Sequence, residues 1–437
     1  MKVHFIGIGG IGVSALAQYY LEKGHQVSGS DLNSSEITEF LRVKGARIYI
    51  GPQLARTVLA NIDLVIYSPA VQKNNPELMA AKKLGIKCQS YPKALGELTK
   101  KYFTIAVSGT HGKSTTTAMI ALILIRAGLD PTVIVGTKLK EFKNSNCRVG
   151  KSNYLVIEAD EHFASFLNYW PKIIVLTNIE ADHLDYYKNL QNLLKTFKEY
   201  ISHSSKDGVL IFNKNDKNIL EITKNYIGDT YGFSGKQNEV KKIKNILKIP
   251  GEHNVYNALA ALTLARVLKI PDKVTYKTLS EYKGAWRRFE IKNVKLYENT
   301  SCSITVVSDY GHHPTQIRAT LKAAREKWPK RKIWLVFQPH QHQRTFYLFK
   351  DFVMVFKKAL LKHWVNKCII TDIYGVAGRE KKEIRKKVNS EKLVKAINKK
   401  DAIYLPKQKI LNYLKKNLGG GEVVIIMGAG DIYKLTL

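Results

Sequence analysis

"VHFIGIGGIG", residues 3–12, decides how the first hundred residues fold. Its apolar run, 3–6, is short enough for a buried strand and is cut by glycines at 7, 9, 10 and 12. A helical pattern follows over 14–23. Strand, glycine turn and helix in that order make a nucleotide site, because a pyrophosphate can approach the N–H groups that open the helix. Alone, the turn suggests a dinucleotide-binding enzyme. A second loop argues otherwise. "SGTHGKSTTT", 108–117, follows an apolar strand at 103–107 and opens a helix at 114–127. That is the setting of a phosphate loop, and a simple oxidoreductase has no use for it.

Outward from these loops the chain alternates short strands with helices. Strands are expected at 3–6, 26–29, 47–50 and 64–67, with helices at 14–23 and 36–44. Such alternation implies a parallel sheet. The pattern restarts near Lys100, with strands at 103–107, 154–157 and 173–176 and an Ala- and Leu-rich helix at 254–268. The lysine-rich stretch 236–248 reads as surface. A third α/β unit begins near Trp286, with strands at 304–307, 333–337, 368–371 and 423–427. Its helix 346–361 places Phe349, Phe352 and Phe356 near helical spacing, a core pattern. No internal repeat is visible. The expectation is α/β with three domains, at 1–98, 99–284 and 285–437.

Composition narrows the class. A chain of 437 residues, 45% hydrophobic and 24% charged, has room for two to four globular domains. No apolar run approaches the ~20 residues a bilayer needs; 118–125 ends at Arg126. No signal peptide is expected, because the first apolar run meets glycine at once. Cys88, Cys147, Cys302 and Cys368 form no CxxC pair and read as free thiols in a reducing cytoplasm. The net charge of +34 raises nucleic acid as a partner. Yet the lysines lie in short scattered clusters, with neither aromatic-interleaved RNA motifs nor zinc-finger spacing. A solvated basic surface that attracts anionic substrates is the better reading.

The phosphate loop supplies the chemistry. Gly109, Thr110, His111, Gly112, Lys113, Ser114 and Thr115 would cradle ATP, with Lys113 on the β- and γ-phosphates and Ser114 offered to Mg2+. Strict spacing asks for glycine at 107, where the chain has Val107. Glu158 and His183 follow two expected strands, at the sheet edge where ligands gather. With Ser114 they are the candidate metal residues, for Mg2+ or Mn2+. Asn254 and Asn257 lie one turn apart; Asn254 suits a helix N-cap, while the deeper Asn257 can face an adenine. Arg287, Arg288, Asp309 and His312 lie in "WRRFE" and "SDYGHHPT". Those groups would reach ATP from the last domain.

GTHGKST, EADE, TNIEADHLD, HNVYNALAA, WRRFE, DYGHHPT, FQPH and MGAGDI occur in this order from Gly109 to Ile432. In these motifs the chain resembles the Mur ligase family, ATP-dependent peptide-forming enzymes of bacterial cell-wall synthesis. HFIGIGGIGVSALA, 4–17, resembles the alanine-adding branch. The resemblance implies a Rossmann-like UDP-binding domain, a central P-loop ATPase-like domain and a C-terminal Rossmann-like domain. It also implies that the first glycine turn holds the diphosphate of a UDP-sugar and not NAD. Gly9, Gly10, Gly12, Asp31, Ser68 and Ser165 would be substrate-binding, with Asp31 toward the uridine. The reaction implied joins L-alanine to the lactyl carboxylate of UDP-N-acetylmuramate through an acyl phosphate, giving ADP and phosphate. A cytoplasmic monomer or homodimer is implied, with no nucleic-acid or membrane partner. Lys113, Glu158, His183 and Arg344 would be catalytic.

Four positions depart from the family pattern. EADEHFASFL has His162 and Phe163 where relatives carry a polar pair, and Ser308 replaces an acid before Asp309. In "FQPHQHQRT", 337–345, relatives often carry two arginines for the amino-acid carboxylate; here the first position is Gln341, leaving Arg344. Lys198 lies near the place where some relatives carry a carbamylated lysine, a feature not expected in this branch. The rival within the family is a recycling ligase that adds a preformed peptide. Outside it, an NAD-dependent oxidoreductase and a basic nucleic-acid-binding ATPase each leave one set of motifs unexplained.

Overall fold

Three sheets organise the chain, and each puts its glycine-rich or histidine-rich loops at the ends of central strands. The computed structural model describes residues 1–204, 207–295, 303–376 and 382–435. It divides into two compact units, one of Met1–Glu180, Gln191–Ile243 and Tyr256–Ser280, the other of Ala181–Leu190, Lys244–Val255 and Glu281–Leu437.

In the first unit, β1 (Lys2–Ile6), β2 (Gln26–Asp31), β3 (Arg47–Ile50), β4 (Leu64–Tyr67) and β5 (Lys87–Ser90) form a parallel sheet in the order β3-β2-β1-β4-β5. The order reverses at β1, so a crevice opens there, beside the first glycine turn. Helices α1 (Ile11–Glu22), α2 (Glu36–Val43), α3 (Pro76–Lys83) and α4 (Tyr91–Lys101) link or follow these strands. Asn75 starts α3 by accepting from the N–H groups of Glu77 and Leu78, and Pro76 presets its first turn. Ile6, Val65, Leu78 and Ala81 bury the β4–α3 side.

The second sheet of this unit has seven strands. They are β6 (Phe103–Ser108), β7 (Thr132–Leu139), β8 (Ser145–Arg148), β9 (Tyr154–Glu158), β10 (Ile173–Leu176), β11 (Val209–Asn213) and β12 (Asp229–Phe233). The order is β12-β11-β10-β6-β9-β7-β8, with only β8 antiparallel to its neighbour. Central β6 feeds the phosphate loop into α5 (Lys113–Arg126), whose residues Ala118–Ala121 are all buried. Val107 now has an explanation: it lies inside β6, opposite Glu158 on β9, and is fully buried. A buried strand position favours a β-branched side chain, and no turn at 107 calls for glycine.

The second unit holds β13 (Glu290–Lys295), β14 (Ser303–Asp309), β15 (Ile333–Phe337), β16 (Lys367–Ile370), β17 (Ala402–Tyr404) and β18 (Val423–Met427). Their order is β13-β14-β18-β15-β16-β17, antiparallel only at β13. Phe352 and Phe356 are buried in its core beside Phe337, as the spacing implied, while Phe349 is only partly buried against it. The helix expected at 346–361 is instead two, His342–Tyr347 and Phe349–Leu361, separated at Leu348. Lysine-rich 236–248 contains an amphipathic helix, Glu239–Ile246, that buries Ile243. Cys88, Cys147 and Cys368 are free thiols, while Cys302 lies outside the described residues. No helix among the described residues is long and apolar enough to cross a membrane.

Candidate active site

The first glycine turn is built by β1 and closed by β2. Gly7 (φ +78°) and Ile8 donate to the Ser30 carbonyl at 2.9 and 3.0 Å, and Gly10 caps α1. A side chain on Gly9 would stand 2.9 Å from Asp31 Oδ2, because Gly9 N–H donates to that oxygen at 2.8 Å. Asp31 therefore braces the turn itself. Ser68 follows β4, its N–H on the Ile6 carbonyl and its hydroxyl accepting from Ala70 at 3.3 Å. Ser165 donates to the His162 carbonyl, in a segment where Phe163 and Ala164 have positive φ. The His162 and Phe163 rings stack there at 4.1 Å.

The second loop is held from below by Thr177 and Asn178, past the end of β10. Asn178 accepts from Thr110 through its carbonyl (2.8 Å) and from His111 N–H through its side chain (2.9 Å). Gly109 (φ +130°) lies so close that a Cβ would be 2.3 Å from Thr177 Oγ1. Gly112, the cap of α5 at φ +84°, has Asn257 Oδ1 at 2.3 Å from any Cβ. That oxygen also accepts from Thr116 at 3.2 Å, so Asn257 supports the loop. Thr115 is buried beside it.

Lys113 closes the loop on itself. Its ammonium donates to the Gly109 carbonyl and to Glu161 Oε2, both at 2.7 Å, with Asp160 at 3.6 Å. Burial alone would lower its pKa; Glu161, Asp160 and Glu158 outweigh that and raise it, so the charge is retained. Ser114 Oγ donates to Glu158 Oε1 at 3.0 Å, while Gly136 N–H fixes the other carboxylate oxygen at 2.8 Å. A hydroxyl and a carboxylate converging at the phosphate end of a loop are oxygen donors of the kind Mg2+ takes.

His183 belongs to the second unit, at φ +52°, where it caps the short helix Leu184–Tyr187. Beside it, buried Asp182 accepts from Arg344 Nε at 3.1 Å. Burial would raise the Asp182 pKa, but Arg344, His183, His313 and His312 hold it well below the usual carboxylate range. Arg344 is thus no surface arginine: it is buried, and its Nη1 lies 3.3 Å from His340 Nδ1. Gln341 is buried at φ +67°. Burial, then the nearby Arg344, lowers the His312 pKa well below its ordinary value. Asp309 accepts from Phe289 N–H and Gly311 N–H at 2.9 and 2.8 Å. Arg288 lies over the Tyr310 ring at 4.8 Å. Arg287, by contrast, donates to the Gly428 and Gly430 carbonyls and packs on Tyr433, which makes it a brace for the 427–432 loop.

Sequence reading passed over Glu161 and Asp182, the acids that pair with Lys113 and Arg344. Both lie inside quoted motifs, and their signal was an acid three residues after Glu158 and one before His183. Asn254 is not a helix N-cap: the helix starts at Glu252, and the Asn254 amide donates back to the Pro250 carbonyl. Lys198 lies on the exposed face of helix Leu190–Ile201, as a solvated lysine does.

Three family models cover this architecture: the catalytic domain of the Mur ligase family over residues 2–103, the Mur ligase middle domain over 107–265, and the Mur ligase glutamate ligase domain over 287–430. The chain belongs to the Mur ligase family. Within it, the chain is 42% identical to the UDP-N-acetylmuramate–L-alanine ligase of Acetivibrio thermocellus, covering 99% of this chain and 94% of that one. Identity to the enzyme of the same name from Clostridium acetobutylicum is 41%, over 99% and 96%. The structure is similar to that of the UDP-N-acetylmuramate-alanine ligase of Thermotoga maritima, with a TM-score of 0.78 and 28% identity over 99% and 97% of the two chains. A murein peptide ligase from Psychrobacter arcticus shares the fold, with a TM-score of 0.71 at 23% identity. As a Mur ligase, the protein has use for both of its glycine loops.

Proposed function

We propose that this ligase joins L-alanine to the lactyl carboxylate of UDP-N-acetylmuramate in the cytoplasm, converting ATP to ADP and phosphate. One observation carries the reading: two separate phosphate-type glycine turns stand in one compact unit of a chain 42% identical, over nearly its whole length, to an alanine ligase. A carboxylate resists amine attack because its oxygen is a poor leaving group. Transfer of the γ-phosphoryl group to that oxygen gives an acyl phosphate and ADP. The alanine amine then adds to the carbonyl carbon, and phosphate leaves as the amide forms.

Lys113 is the group that meets the developing phosphoryl charge. Its hydrogen bonds to Glu161 and to the Gly109 carbonyl hold its ammonium against the loop. Ser114 and Glu158 would hold Mg2+, which when bound neutralises phosphate charge. In this reading His183 is a further metal residue, Asn257, Arg288, Asp309 and His312 serve ATP, and Gly9, Gly10, Gly12, Asp31, Ser68 and Ser165 serve the sugar nucleotide.

A single experiment tests the reaction and its branch. UDP-N-acetylmuramate labelled with 18O in the lactyl carboxylate is incubated with ATP and either alanine or a tripeptide. Phosphate release is expected with alanine, with one label in each phosphate. Release driven by the tripeptide alone would assign the recycling activity instead, and unlabelled phosphate would exclude the acyl phosphate.

Arg344 is our candidate for the alanine carboxylate. Arg344→Ala is expected to raise the KM for alanine by on the order of ten- to a hundredfold, the range of a lost charge-assisted hydrogen bond. The KM values for ATP and sugar nucleotide should move little. Because Asp182 then loses its buried partner, thermal stability is followed in parallel. Gln341→Arg should tighten alanine. A stable Arg344→Ala enzyme with an unchanged alanine KM would remove this residue from the amino-acid site.

A further inference from the structure

The last glycine of the first turn is not there for its backbone. Gly12 lies inside α1 and is absent from the positive-φ glycines. What it lacks room for is a side chain. A Cβ on Gly12 would stand 2.8 Å from Tyr91 Cζ and 3.0 Å from the Tyr91 hydroxyl. Tyr91 is the first residue of α4, directly after β5, so β5 delivers its ring to the same sheet edge as the glycine turn. The ring thus rests on the opening turn of α1.

Two features separate this tyrosine from a packing residue. First, its hydroxyl has no hydrogen-bond partner among the described residues. A phenol that ends beside a helix N-terminus without a partner is a donor available to a ligand. Second, burial raises the phenol pKa, with Glu158 at the end of β9 and Asp160 just past it adding to the effect, so the group stays protonated. Protonated, the hydroxyl is free to donate to a ligand oxygen. The surrounding donors agree. Gly9 N–H is taken by Asp31 and Gly10 N–H by the Gly7 carbonyl, whereas the next N–H groups, in the first turn of α1, have no intrahelical acceptor.

We propose that Tyr91 is a further ligand-contacting residue of the sugar-nucleotide site, its phenol donating to an oxygen of the UDP diphosphate held on the α1 turn. The proposal rests on the assignment of that turn to a UDP-sugar. It gives Gly12 its reason: any side chain there would push the donor away.

The test is calorimetric binding of UDP, UDP-N-acetylmuramate and ADP to the full-length enzyme and to Tyr91→Phe, which keeps the ring and removes one oxygen. Loss of a hydrogen bond to a charged group predicts Kd values for UDP and UDP-N-acetylmuramate raised about tenfold, with ADP unchanged. Melting temperatures of the two proteins should agree. A Kd for UDP within about twofold of the parent would overturn the assignment. So would a loss confined to UDP-N-acetylmuramate, which would put the hydroxyl on the sugar or its lactyl group. Parent enzyme that binds UDP but not UDP-N-acetylmuramate would defeat the functional reading, while UDP alone still decides the role of Tyr91.

Discussion

Lys113→Ala is expected to lose more than ~10²-fold in turnover while binding UDP-N-acetylmuramate nearly as well as the parent enzyme. The size is that of a lost electrostatic contact to charge that develops in the transition state. The selectivity follows from position: Lys113 opens α5, whereas the first glycine turn opens α1. One complication is visible in the structure. Removing the ammonium leaves Glu161 buried with its nearest cation gone, which is costly for a carboxylate. Lys113→Met with Glu161→Gln removes both charges at similar volume and is the control for folding. Near-normal turnover of either variant at saturating ATP would show that the second loop is not the phosphoryl-transfer site.

Gly112→Ala should be nearly as severe, and for ATP alone. The backbone at φ +84° costs a side-chain-bearing residue about 1–2 kcal/mol. The new methyl would also fall 2.3 Å from Asn257 Oδ1, displacing the amide that accepts from Thr116. If the loop tilts and loses one N–H contact to phosphate, another ~1.5–3 kcal/mol goes. Together these correspond to an ATP Kd raised by on the order of 10²- to 10³-fold. Equilibrium dialysis with labelled ATP reads it directly, and UDP binding serves as the internal reference. An ATP affinity within tenfold of the parent would mean that the loop tolerates a β-carbon and that the cap geometry is not what binds phosphate.

Much of the fold was legible because its cues are local. An apolar run that ends in glycine and restarts with helical period can be read within a dozen residues, and β1–α1 and β6–α5 stand where that reading put them. Among the strands not read from the sequence, β7, TVIVGTKL, and β11, VLIFN, are apolar and well buried and were passed over despite their cues, whereas three others lack such cues. β12, DTYGF, is largely exposed; β13, EIKNVK, is a polar edge strand; β17 has three residues. Edge strands carry little burial, so their sequences carry little alternation. The break at Leu348 was hidden for another reason: phenylalanines on both sides keep helical spacing across it.

What the sequence determined by itself is the parallel α/β architecture, the two glycine turns and the family, since each depends on residue types within short windows. Only the tertiary structure decided how the charged and polar groups of those windows are employed. Asp31 braces Gly9 across 22 residues, Glu161 holds Lys113 across 48, and Arg344 pairs with Asp182 across 162. Tyr91, which no motif marks, comes to rest on Gly12. The physical reason is the same in all four cases. A turn or a helix start is specified by the φ/ψ preferences of adjacent residues, whereas the partner of a buried charge or ring is whatever packing brings within about 3 Å, and that is set by the whole arrangement of strands.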